Sequence, residues 1–123
     1  MANRRFQRKQ ALDKEVKDLF LEVSFGVTGA PTIVQGLGIT SIARSAQGDY
    51  LITLNDKYYG GLKAVSGVLL DAAAEDIHFQ VKEEAIAASG TISLFTIAAS
   101  TATDPSNGSK AYIQFVLKNS TIV

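Results

Sequence analysis

Ile39-Thr40-Ser41-Ile42-Ala43-Arg44-Ser45-Ala46-Gln47-Gly48-Asp49-Tyr50-Leu51-Ile52-Thr53-Leu54 is the stretch on which the fold turns. Ala46 to Asp49 has the chemistry of a hairpin turn, with a glycine free to take a positive φ. The return strand places Tyr50, Ile52 and Leu54 on one face and Leu51 and Thr53 on the other. The spacing therefore predicts a β-hairpin with one apolar face, and that face needs a second layer to cover it.

Working upstream, Phe20-Leu21-Glu22-Val23-Ser24-Phe25 is β-competent and is closed off by Gly26 and by Gly29-Ala30-Pro31. Thr32 to Gln35 reads as a further strand, and Gly36-Leu37-Gly38 separates it from the hairpin. Downstream, residues 55–61 form a loop holding Tyr58 and Tyr59 next to Gly60 and Gly61. Lys63 to Leu70 is apolar on both faces, as expected of an interior strand. Asp71 to Glu75 turns the chain. Asp76 to Lys82 then alternates strictly, with Ile77, Phe79 and Val81 pointing inward. Ala85 to Gly90 is another turn, and Thr91 to Ala98 is apolar and β-branched. Asp104-Pro105-Ser106-Asn107-Gly108 reads as a type I turn ended by a left-handed glycine. In the closing strand, Ala111 to Lys118, Ile113, Phe115 and Leu117 face in. Seven to eight strands with no long helices between them predict a mainly β protein, an antiparallel β-sandwich or small barrel.

The amino-terminal end is different. Over residues 7–18, Leu12, Val16 and Leu19 recur at helical spacing with Phe20 extending the face, and Asp13 precedes Lys17 by four. The reading is a short helix preceded by a basic arm, giving two parts: residues 1–18 as arm and helix, and 19–123 as a single β-domain. A helix this short is marginal in water and has to dock its apolar face on the body or on a neighbouring subunit. The charges divide the same way. Residues 1–18 hold six basic and three acidic side chains, and the remainder holds six basic and nine acidic, although the whole chain sums to zero.

Composition narrows the function classes. At 123 residues, 46% hydrophobic and 20% charged, the chain is an ordinary globular domain. It has no cysteine, so neither disulfides nor thiol chemistry enter, which suits a reducing cytoplasm. No signal-like apolar run follows the charged start, and no stretch approaches the ~20 residues of a membrane span. The body lacks the basic stripe with interleaved aromatics that nucleic acid requires.

Candidate chemistry is sparse. His78 is the only histidine and lies on the polar face of its strand, without an oriented partner or the cysteines of a zinc site. Glu75/Asp76 and Glu83/Glu84 are neighbours on a strand, so their side chains diverge and form no acid–base dyad. The Asp104–Gly108 turn lacks the carboxylate spacing of a calcium loop. Gly36-Leu37-Gly38 is no phosphate-cradling motif, and no serine occupies a nucleophile elbow. The expectation is a non-enzyme with no cofactor, no metal and no small-molecule substrate. Three features can make contacts with partners. Arg4, Arg5, Arg8 and Lys9 suit acidic surfaces, with Phe6 as an apolar anchor. Tyr58 and Tyr59 are either an interface patch or half-buried loop anchors. The many strands of a small domain also leave open edges.

Gly29-Ala30-Pro31-Thr32, the hairpin 36–54, the late turn Ala102–Ser109 and the closing Tyr112–Ser120 together resemble a family of small virion proteins of tailed bacteriophages. The opening, Arg5-Phe6 followed by Lys9-Gln10-Ala11-Leu12, fits the same pattern. The resemblance covers most of the chain, consists of turn and strand signatures, and offers no catalytic residues. Some such proteins look like head decoration (cement) proteins. The resemblance therefore implies a homo-oligomeric β-domain, dimer or trimer, made in the bacterial host cytoplasm. It would sit on the outer surface of the virion capsid, binding the major capsid protein and bracing the shell against DNA pressure. A tail, baseplate or fibre adaptor or adhesin is the alternative within the virion. A small hydrolase or a nucleic-acid accessory factor is the reading from another class.

Overall fold

Alternation begins earlier in the chain than the sequence suggested. Leu19, Leu21, Val23 and Phe25 are all buried while Phe20 is exposed, a period of two. In the computed structural model, which describes residues 16–119, this stretch is strand β1, Val16–Phe25. The helix expected over residues 7–18 therefore ends in a correction. Val16 to Asp18 are strand, paired with Lys118 to Val116, and residues 7–15 lie outside the described residues. The reason is competition: Val16 and Asp18 are weak helix formers, and the segment gains ladder hydrogen bonds from the carboxy-terminal strand. The strand also crosses the boundary expected after residue 18.

After a 3₁₀ turn at Val27–Gly29 come β2 (Pro31–Leu37), β3 (Ile39–Ala46), β4 (Asp49–Leu54) and β5 (Gly61–Leu70). Then follow β6 (His78–Ala85), a single helical turn α1 (Ile86–Ser89), β7 (Thr91–Ala98), the two-residue β8 (Thr101–Ala102) and β9 (Lys110–Lys118). Nine strands replace the expected seven to eight, the extra one being the short β8. They form two antiparallel sheets. The first has the order β2-β1-β9-β5; the second has the order β3-β4-β7-β6, with β8 also pairing to β7.

The core is the space between the sheets. Leu21, Val23, Phe25, Phe115 and Leu117 of the first sheet face Tyr50, Ile52, Ile92 and Leu94 of the second, and Phe25 meets Tyr50 edge to face at 5.4 Å. Each such side chain, fully buried, contributes roughly 1.5–3 kcal/mol of transfer free energy. The predicted hairpin is present with the predicted face: Tyr50, Ile52 and Leu54 are all buried. The alternations at 77–81 and 113–117 hold as well, and Gly108 takes the expected positive φ of 89°.

Two glycines make the layout possible. Gly38, at φ 77°, turns the chain from β2 in one sheet to β3 in the other, and a Cβ there would sit 2.6 Å from the Leu19 side chain. Gly48, at φ 63°, closes the β3–β4 hairpin against the backbone of Thr96 and Thr103, where a Cβ would meet the Thr103 nitrogen at 2.5 Å.

One strand is misplaced by the sequence reading. Among the described residues β5, apolar on both faces, is not interior but lies at the edge of its sheet, paired with β9 alone. Its outward residues Val68 and Leu70 are 67% and 53% exposed.

Candidate interaction surface

Antiparallel register sets residues of four strands side by side on the outer face of the first sheet. Leu37 of β2 pairs with Phe20 of β1, Phe20 with Gln114 of β9, and Gln114 with Ser66 of β5. The next row runs Gln35, Glu22, Tyr112, Val68. These two rows line an open hollow of about 800 Å³, with Phe20, Leu37, Val68 and Tyr112 supplying its apolar wall. That volume lies within the range of ligand and peptide pockets. The Glu22 carboxylate stands within it, and its nearest cation, Lys110 Nζ, is 4.0 Å away, the outer limit of an ion pair. A bulge at β2 adds Val34, itself exposed, to the same edge. What the surface can do chemically is bind: it offers apolar area around one weakly paired carboxylate.

The residues predicted for partner contact divide. Arg4, Arg5, Phe6, Arg8 and Lys9 lie outside the described residues. Tyr58 is buried, and burial raises its hydroxyl pKa; it anchors the 55–60 loop to the core. Tyr59, beside it, is 66% exposed. The structure does bring Tyr59 together with the exit point of the arm. Val16 pairs with Lys118, and the Gly60 N–H donates to the Lys118 carbonyl at 2.9 Å, which places both at one end of the sandwich. A shallow depression there is lined by residues 55–59 together with Lys17 and Asn119, so both Tyr58 and Tyr59 border it.

The opposite end is tied by side chains. Asp104 accepts from Arg44 through Nε at 3.0 Å and Nη2 at 2.8 Å, and its Oδ1 also accepts from the Gly48 N–H at 2.8 Å. Tyr50 Oη donates to the Gly29 carbonyl at 2.8 Å. The Arg44 guanidinium, then the Gly48 amide, hold the Asp104 carboxyl below the usual range. Burial first, then the nearby Asp104 charge, pushes the Tyr50 hydroxyl well above its ordinary value. This cluster joins three turns and presents no nucleophile to a base. His78 pairs with Asp76 at 2.9 Å on open surface, both side chains 70% exposed. Among the described residues no three histidines or carboxylates gather at a spacing that would hold a metal ion.

The hollow itself escaped sequence reasoning. In the sequence Phe20 both extends a helical face and opens a β-competent run, and the two-sided apolarity of residues 63–70 suggests burial. That second feature was the available signal: an apolar strand at a sheet edge means an apolar outer face. Comparisons with protein-family models, with curated proteins and with solved structures find no match.

Proposed function

We propose that the protein is a non-catalytic virion component of a tailed bacteriophage, a decoration protein holding the outer capsid lattice. The observation that carries this reading is the outer face of the first sheet. Six large apolar side chains, Phe20, Val34, Leu37, Val68, Leu70 and Tyr112, stand exposed on one sheet of a small domain. Concentrated apolar exposure of this kind marks an interaction surface. The sequence resemblance to phage virion proteins supplies the context, and the basic arm supplies a second contact. On a shell, repetition lets each copy hold weakly while the array holds firmly. The major capsid protein and further copies of this chain are the partners.

Quantitative mass spectrometry of purified particles tests the reading. Copies in a simple whole-number ratio to the major capsid subunit are expected. A small complement, matching the tail's symmetry, would transfer the protein to the adaptor or adhesin role, for which exposed Tyr59 is the remaining aromatic of the original pair. Absence from the particle would end both.

A further inference from the structure

The hollow on the first sheet and the chain upstream of Val16 have complementary chemistry. The hollow is apolar, holds Glu22 with its distant cation, and shares its face with the exposed Asp18. Residues 1–15 carry five basic and two acidic side chains, and Phe6 stands between Arg4-Arg5 and Arg8-Lys9. An aromatic anchor flanked by cations is what an apolar pocket with a carboxylate recognises.

We propose that the outer hollow of one copy receives the Phe6 segment of another copy, with Phe6 among Phe20, Leu37, Val68 and Tyr112 and a flanking arginine on Glu22. A second copy is favoured because the array reading needs a contact between copies, and the fifteen residues upstream of Val16, up to about 50 Å when extended, are long enough to cross the roughly 20 Å width of a four-stranded sheet to a neighbour. The contact is head-to-tail, so it closes into a ring or extends along an array. The inference deepens the structural-module reading on which it rests by naming the surface between copies. Its test needs no capsid, so the two can fail separately.

The chain has no cysteine, which makes disulfide trapping clean. Full-length Gln7→Cys, which keeps Phe6, is mixed with full-length Ser66→Cys in the wall of the hollow, oxidised, and compared with the same donor mixed with Gln80→Cys on the second sheet. Ser66 and Gln80 are both exposed, so both variants keep the fold, which circular dichroism verifies. The expected result is a mixed-disulfide dimer at least tenfold more abundant with Ser66→Cys, and lost when the donor also carries Phe6→Ala, Arg5→Glu and Arg8→Glu. Equal yields at the two positions, or none at either, would overturn the proposal. So would a monomeric internal disulfide dominating in the dilute Gln7→Cys/Ser66→Cys double variant, because the chain's own arm would then fill the hollow.

Discussion

The two sheets share one core and differ on their outer faces. The first exposes Phe20, Leu37, Val68, Leu70 and Tyr112. The second turns out Ser41, Thr53, Gln80 and Glu83, with Thr91 and Ser93 half-buried between them. The second sheet is not free of outward apolar side chains, but its aromatic one, Phe95, is covered. Lys82 Nζ stands 5.4 Å over the Phe95 ring while pairing with Asp49 at 2.6 Å. On the first sheet no equivalent covering of Tyr112 or Val68 occurs among the described residues. The difference teaches that, among the described residues, the sandwich has one finished side and one side that leaves large apolar side chains exposed.

The sharpest way to break the comparison is within β9, where residues three apart face opposite ways. Phe115→Ala, in the core, should cost about 3–5 kcal/mol in urea unfolding, whereas Tyr112→Ala on the outer face should cost about 0.5 kcal/mol or less. Equal losses would mean that the outer face is part of the monomer's own packing.

Asp104→Ala strands the Gly48 N–H and unties the turn cluster, at about 1–3 kcal/mol. Because Arg44 depresses the folded Asp104 pKa, its contribution is full above the unfolded value of about 3.9 and fades as pH falls through the folded one. Asp104→Asn should therefore flatten the acid limb of thermal stability below about pH 4. An unchanged acid limb would remove this ion pair from the account of the second sheet. Gly48→Ala forces a side chain into a left-handed position against the Thr103 backbone and should lose at least about 1–2 kcal/mol by the same urea measurement. The smallest stability effect belongs to Val68→Lys, within about 0.5 kcal/mol of the native chain. Particle binding should nevertheless fall clearly in a pull-down with capsids, and undiminished binding would remove the hollow from the interface.

Much of the finished side was legible in the sequence. Tyr50, Ile52 and Leu54 alternate with Leu51 and Thr53 because one face is buried and one is not, and Gly48 marks their turn. The same logic makes Ile113, Phe115 and Leu117 readable, and Asp104 to Gly108 announces its turn through residue chemistry. The other side resisted for physical reasons. Leu12, Val16, Leu19 and Phe20 keep helical spacing, the strand alternation becomes visible only from Leu19, and the choice at Val16 is made by Lys118, about a hundred residues away. Lys63 to Leu70 is equally ambiguous, since apolarity on both faces does not say whether a covering layer comes from the same chain. A surface made from four strands, two of them assigned elsewhere, has no linear signature. Of the predicted contact residues, the adjacent tyrosines separate at a tight turn closed by the Gly61 N–H donating to the Tyr58 carbonyl at 2.9 Å: Tyr58 is buried and Tyr59 is exposed.

β1 is an inner strand, flanked by β2 along one side and by β9 along the other. Its ladder hydrogen bonds lie across the strand direction. Tension entering at Val16 along the strand, against an anchorage at the far end of the sandwich, therefore shears both ladders at once and loads every bond together. Tension applied between Val16 and Lys118, which face one another at the same end, opens the ladder one pair at a time. The domain is thus a strong tether when pulled from its leading end against its body and a zipper when pulled between its own two ends.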